Sequence, residues 1–265
     1  RRRHTRYWRD WSSDVCSSDL AINPSLGSNG EDLSSALESA GIRVENSGPT
    51  TLVYLEDSWD RPADQLQPIR SIKAPLTFIF GLSYKYEYLR QILGANVQEF
   101  RFHSNQYSPA GQAIRRSYPI FEQRDMRLLG RFDKLRSLDI AYVRVDPNAL
   151  RHLAALRQLE RLSLGGGFQD ANLKFLSQLT ELAHLDIRTA KETEGDFLNH
   201  VAPLKKLTSL NIETARVGDE HLPALAQLPN LKTLYAPRTL GDEGAKHVAK
   251  TDSLEVLVLP ESEDR

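Results

Sequence analysis

The chain reads Leu159-Glu160-Arg161-Leu162-Ser163-Leu164, then Leu182-Ala183-His184-Leu185-Asp186-Ile187, then Leu207-Thr208-Ser209-Leu210-Asn211-Ile212. Each time an apolar residue is followed by two variable residues, Leu, one variable residue and a last apolar residue. Outward from this centre, the pattern recurs upstream at Leu135-Leu138-Ile140. Downstream it recurs at Leu231-Leu234-Ala236 and Leu254-Leu257-Leu259. The steps between copies are 24, 23, 25, 24 and 23 residues. A fixed period of this length is the signature of a solenoid, in which each repeat buries its apolar face against its neighbours.

A second element precedes each copy. Leu150, Leu153 and Leu156 run into Leu159, and Leu173, Leu176 and Leu179 run into Leu182. Leu198, Val201 and Leu204, then Leu222, Leu225 and Leu228, repeat the arrangement, as do Met126, Leu129 and Phe132; the last copy has Ala245 and Val248. Apolar residues every three positions keep one side of a short α or 3₁₀ helix buried. The following alternation predicts a strand with one face inward and one outward. Asp170, Asp219 and Asp242 stand three residues before Leu173, Leu222 and Ala245. A carboxylate there is expected to cap the first helical turn.

On these motifs the chain resembles a leucine-rich repeat protein, specifically over Met126 to Leu259 and more weakly from about Thr51 to Phe102. The resemblance implies an α/β solenoid: a right-handed arc with a concave parallel sheet and short helices on the convex side. The Asn that usually follows the strand is replaced by Val143, Gly167, Ala190, Ala215 and Thr239, with Thr189 and Thr214 in the slot before. This resembles a bacterial-type variant, and no buried Asn ladder is expected.

Weaker copies extend the array upstream. Val97-Phe100-Phe102 fits the strand pattern, and Leu76-Ile79 and Leu52-Leu55 fit its first two positions. Glu31–Val44 reads as a helix and a short strand able to cover the first edge. The expected organisation is residues 1–20 set apart, an N-terminal cap over 21–50, degenerate repeats with an inserted loop over 51–125, and regular repeats over 126–265. Residues 1–20 have no repeat phase. They resemble translated sequencing-adapter DNA joined to an incomplete gene, which would leave the true N-terminus outside this chain. The alternative is a basic disordered tail.

Composition narrows the function classes. The net charge of 265 residues is −1. Residues 1–20 hold five Arg and three Asp, so the remainder carries −3 and lacks the basic excess of a nucleic-acid binder. No apolar run reaches the ~18 residues of a membrane helix. The single Cys, Cys16, lies in the segment set apart, which leaves no disulfide for the repeats. A reducing compartment is compatible with this, and the localisation stays open. No cofactor or metal site is expected. Gly165-Gly166-Gly167 follows a strand without the lysine of a phosphate loop and reads as a tight turn. His152, His200 and His247 fall on helices about two repeats apart, too far from one another for one metal.

The strand positions that face outward are the remaining candidates. Across the clear copies they form three ladders: Ser137, Arg161, His184, Ser209, Thr233, Val256; Asp139, Ser163, Asp186, Asn211, Tyr235, Val258; and Ala141, Gly165, Arg188, Glu213, Pro237, Pro260. The expected partner-binding set is Asp139, Arg161, His184, Asp186, Arg188, Asn211, Glu213 and Tyr235, with Tyr54, Phe78 and Phe80 added if the early strands keep the same phase. Tyr235 and those aromatics would supply affinity and the charges specificity. A one-residue slip would bury Phe78 and Phe80 instead. The stretch His103–Arg124 holds about 14 residues more than a repeat needs and is expected as a loop at the rim.

The predicted function is a non-catalytic module that binds an unidentified protein, with no nucleic acid and no membrane span. One alternative is the recognition part of a larger enzyme or sensor. Another is a parallel β-helix enzyme acting on polysaccharide, which the three-residue Leu spacing disfavours.

Overall fold

The computed structural model describes residues 30–55, 59–81, 84–102, 119–188 and 192–260, and for residues 30–34 and 188 the backbone alone. The readings of residues 1–20, of most of the inserted loop, and of Glu56, Leu82, Thr189 and Ala190 fall outside the described residues.

Twelve strands are present among the described residues. They are β1 (Arg43–Ser47), β2 (Thr50–Leu55), β3 (Leu76–Phe80), β4 (Val97–Phe102), β5 (Ile120–Phe121), β6 (Ser137–Ile140), β7 (Arg144–Val145), β8 (Arg161–Gly165), β9 (His184–Arg188), β10 (Ser209–Asn211), β11 (Thr233–Tyr235) and β12 (Val256–Val258). Ten of them make one sheet in the order β1-β2-β3-β4-β6-β8-β9-β10-β11-β12, and β5 pairs with β7 apart from it. β1 is antiparallel to β2, and every later pairing in the large sheet is parallel.

The repeat phase read from the sequence is the register of the sheet. Leu138, Leu162, Leu185, Leu210, Leu234 and Leu257 are successive Cα partners. The first five are buried, each removing a side chain from water at about 2 kcal/mol. Leu257 departs from the expected buried row and is exposed, because no strand among the described residues follows β12 to cover it.

On the other side lie short helices. The segments 147–155, 170–178 and 219–227 are 3₁₀ helices, with 3.0 residues per turn, so leucines three apart stack in one buried column. Leu150, Leu153, Leu173, Leu176, Leu222 and Leu225 all lie in it. Pro147 sits at the first helical position, where its missing N–H costs no intrahelical bond, whereas Pro223 lies inside its segment and forgoes one. The last helix, Asp242–Val248, is α-helical and buries Gly244 and Val248 at a spacing of four, leaving Ala245 outside. Upstream, the helix Gly30–Ser39 precedes β1, and Leu37 and Ile42 there are buried.

The degenerate repeats correct one expectation. Phe78 pairs with Val53 and Phe100, and Phe100 pairs with Leu138. Phe78 and Phe80 therefore occupy the buried row, one residue out of the expected phase, and both are fully buried. Leu76, Phe78 and Phe80 face inward by simple alternation, and the register shift between Leu76 and Thr77 lets Val97, three residues before Phe100 in β4, face inward opposite Leu76. Phe80 stacks on Phe102 at 4.9 Å, Phe100 meets Phe132 edge-on at 5.0 Å, and Phe121 meets Tyr84 at 4.5 Å. Aromatic volume replaces leucine in this core. Phe78 and Phe80 are thus withdrawn as binding residues.

Candidate functional site

The outward strand positions form two continuous ladders. Thr77, Glu99, Ser137, Arg161, His184, Ser209, Thr233 and Val256 are successive partners in the first. Tyr54, Ile79, Arg101, Asp139, Ser163, Asp186, Asn211, Tyr235 and Val258 are successive partners in the second. Arg188 pairs with Gly165, and its side chain is not described. Gly165 has to be glycine, because a Cβ there would run into the Ala141 carbonyl.

The structure brings most of the expected residues onto one face, with distinct roles. Asp139 and Asn211 turn partly inward along the chain: Asp139 Oδ1 accepts from the Ala141 amide at 3.0 Å, and Asn211 Oδ1 from the Glu213 amide at 3.1 Å. Both shape the turn that ends their strand. Glu213 accepts from Arg238 Nη2 at 3.3 Å in the next repeat. Asp186 is 1% exposed and lies between Ser163 and Asn211. Tyr235 is half-buried between Asn211 and Val258. Tyr54 is on the same face but covered by the antiparallel β1: its hydroxyl donates to Glu45 Oε2 at 3.1 Å, and the Arg43 guanidinium lies 4.0 Å from its ring centre. Burial, then the Glu45 carboxylate, raise its hydroxyl pKa.

Arg161 and His184 are direct neighbours. Burial, then the Arg161 charge, hold the His184 imidazole below its ordinary 6.5, which favours its neutral form. Glu160 contacts Arg161 at 3.9 Å and pairs with Arg136 across β6 and β8.

Two residues of this face were passed over in the sequence, Glu99 and Arg101. Glu99 Oε1 accepts from Arg101 Nε at 2.9 Å and from Ser137 Oγ at 3.0 Å, and Oε2 accepts from Thr77 Oγ1 at 3.0 Å. Burial alone would raise its carboxyl pKa; the Arg101 guanidinium and the two hydroxyls outweigh it and hold the carboxyl below the usual range. The signal was legible, because Val97-Phe100-Phe102 in phase puts Glu99 and Arg101 beside Ser137 and Asp139.

Among the described residues no group of three or more His, Cys, Asp and Glu is placed to hold a metal, and no helix is long and apolar enough to cross a membrane. His152 rests against Gln123 Oε1 at 3.2 Å on the helical side, away from the ladders.

Solved structures place this arrangement. An internalin (inlF) from Listeria monocytogenes overlays with a TM-score of 0.52 at 18% identity, over 72% of this chain and 56% of that one. Internalin C2 (inlC2) from the same organism overlays with a TM-score of 0.51 at 16% identity, over 90% of this chain and 93% of that one. The fold is a leucine-rich repeat solenoid. The chain spans little more than half the length of the first of these internalins. No protein-family model and no curated protein matches the chain.

Within the leucine-rich repeat frame, the missing Asn has substitutes. Thr239 Oγ1 donates to the Val217 carbonyl at 2.6 Å, and Thr193 Oγ1 donates to the Arg216 carbonyl at 2.9 Å, each tying one repeat loop to its neighbour.

Proposed function

We propose that this protein is a non-catalytic interaction module that binds a partner protein through the concave, open face of its sheet. The observation that carries the reading is the pair of unbroken ladders from Glu99 and Arg101 to Thr233 and Tyr235. Side chains from six strands converge there into one surface, whereas those on the helical side diverge. The corrected contact set is Arg101, Asp139, Arg161, His184, Arg188, Asn211, Glu213 and Tyr235, with Tyr54 at its margin; Asp186, at 1% exposure, is too buried to touch a partner and is withdrawn. Arg161, Arg188 and Glu213 supply charges of both signs, which select a partner more than they tighten it. Tyr235 is the aromatic anchor.

Affinity capture with the whole chain tests this. Proteins retained by the wild type should be retained by a variant changed on the helical side (His152, His200 and His247→Ala) and lost by Arg161→Glu with Tyr235→Ala. A partner that survives the sheet-face changes and is lost with the helical-side changes overturns the assignment.

A further inference from the structure

From β2 onward the strands of the large sheet run parallel, so every connection from a helix end to the next strand lies on one flank of the solenoid. Charge is unevenly spread along that flank. The connections into β3, β4, β6 and β8 (70–75, 90–96, 127–136 and 155–160) hold eight Lys and Arg, all exposed, against two acids, Asp133 and Glu160. The connections into β9 to β12 (178–183, 201–208, 227–232 and 249–255) hold four Lys against three acids. Helix dipoles draw bases to helix ends, but they act alike in every repeat and do not account for the difference. Pairing differs as well. Lys206 contacts Glu181, and Lys232 contacts Glu255 at 2.9 Å. Among the described residues, none of Lys73, Arg90, Arg131, Lys134 and Arg157 is in an ion pair.

The basic half of the flank is held in shape by backbone carbonyls. Arg70 Nε donates to the Gln91 carbonyl at 2.6 Å, and Asn96 Nδ2 donates to the Lys73 carbonyl at 2.8 Å, so the first two connections lie side by side. Between the second and third is a cleft of about 170 Å³. Buried Ala95 and Phe132 line it together with exposed Arg131, Asp133 and Lys134. Gly94 also lines it, and a Cβ added there would meet nothing, so the cleft is open beside it.

We propose that this flank is a second binding surface, distinct from the concave face, and that it takes an acidic polypeptide segment. A Glu or Asp side chain of the segment enters the cleft beside Arg131 and Lys134, where Asp133 is outnumbered. Carboxylates before and after it reach Arg90 and Lys73 on one side and Arg157 on the other. Charge complementarity chooses this occupant: the four connections carry an excess of six positive charges on a chain whose net charge is −1. A single nucleic-acid strand matches less well, because it needs exposed aromatic platforms, and the one aromatic residue of these connections, Phe132, is buried.

Fluorescence anisotropy of the whole chain with a labelled octaglutamate peptide tests this, with an octaglutamine peptide and a thymidine oligonucleotide of equal charge as comparators. Octaglutamate should bind at low salt and be released toward molar salt, where the screening length falls to about 3 Å; octaglutamine should not bind. Arg131→Glu with Lys134→Glu should weaken octaglutamate binding at least about tenfold. Lys206→Glu with Lys232→Glu, the same charge change on the balanced half of the flank, should leave it within about twofold. All four sites are exposed, and unchanged circular dichroism establishes that the variants fold. No binding of octaglutamate at low salt, an equal loss from both pairs of substitutions, or tighter binding of the oligonucleotide overturns the proposal.

Discussion

At the residue scale, the informative groups are those whose environment departs from their type. Glu99 is a carboxylate most of whose surface is covered, held charged by Arg101, Thr77 and Ser137. Its folded pKa lies below the ordinary 4.5. The sign follows from linkage: this contribution to stability is fully present above pH 4.5 and is lost as pH falls through the folded value. Denaturation of wild type and Glu99→Gln between neutral and acid pH should show the wild-type advantage shrinking below that point. Glu99→Ala, which removes the acceptor shared by Arg101, Thr77 and Ser137, should cost about 1–3 kcal/mol near neutrality. Leu185 is an apolar counterpart, fully buried at the centre of the row. Leu185→Ala should cost about 2–5 kcal/mol in urea denaturation, through lost transfer energy and the cavity left behind.

At the element scale, the aspartates that precede the helices bind repeats together. The expectation was that each would cap its own helix. Asp146, the residue just before the helix 147–155, does cap its own helix, accepting from the Asn148 amide at 2.9 Å. Asp170 instead accepts from the Glu194, Gly195 and Phe197 amides of the next repeat, at 2.8, 3.2 and 3.0 Å. Asp219 likewise accepts from the Gly241 amide at 2.9 Å, and this and the Gly244 amide lower its carboxyl pKa. Each helix starts close to the turn of the following repeat, so the carboxylate finds free amides across the gap sooner than within its own turn. Asp170→Ala leaves three amides without that acceptor. It should cost about 1–3 kcal/mol, with faster hydrogen exchange at Glu194, Gly195 and Phe197 and little change at Asn148. Sequence spacing identified the carboxylates but not which amides they serve, because donor and acceptor are 22 to 27 residues apart.

At the scale of the whole molecule, stability is distributed along one axis, since each repeat touches its neighbours alone. The two ends are unequal. Next to β1 lies the helix Gly30–Ser39, whereas β12 carries Val256 and Leu257 in the open. Local opening should therefore be easiest at β12 and hardest near β8 and β9. Native-state hydrogen exchange should show protection falling from Leu185 through Leu210 and Leu234 to Leu257. Uniform protection along that row would contradict the one-dimensional picture.

The sequence by itself determined the period, the positions of β6 and of β8 to β12, the three-residue helical spacing and the identity of the outward ladders. All of these follow from a local rule repeated six times: one apolar pattern sets one buried face, and stacking identical patterns leaves a single register. The tertiary structure decided what depends on neighbours. It put Phe78 and Phe80 inside, because β3 alternates by twos from buried Leu76 and pairs Phe78 with Phe100, while the three-residue spacing of the repeat pattern is met by an extra residue in β4. It covered Tyr54 with Arg43 and Glu45 from an antiparallel strand, and it joined Glu99 to Arg101, Thr77 and Ser137 across three strands. It left Leu257 exposed although its pattern is that of Leu185, because burial belongs to the next repeat and not to the residue.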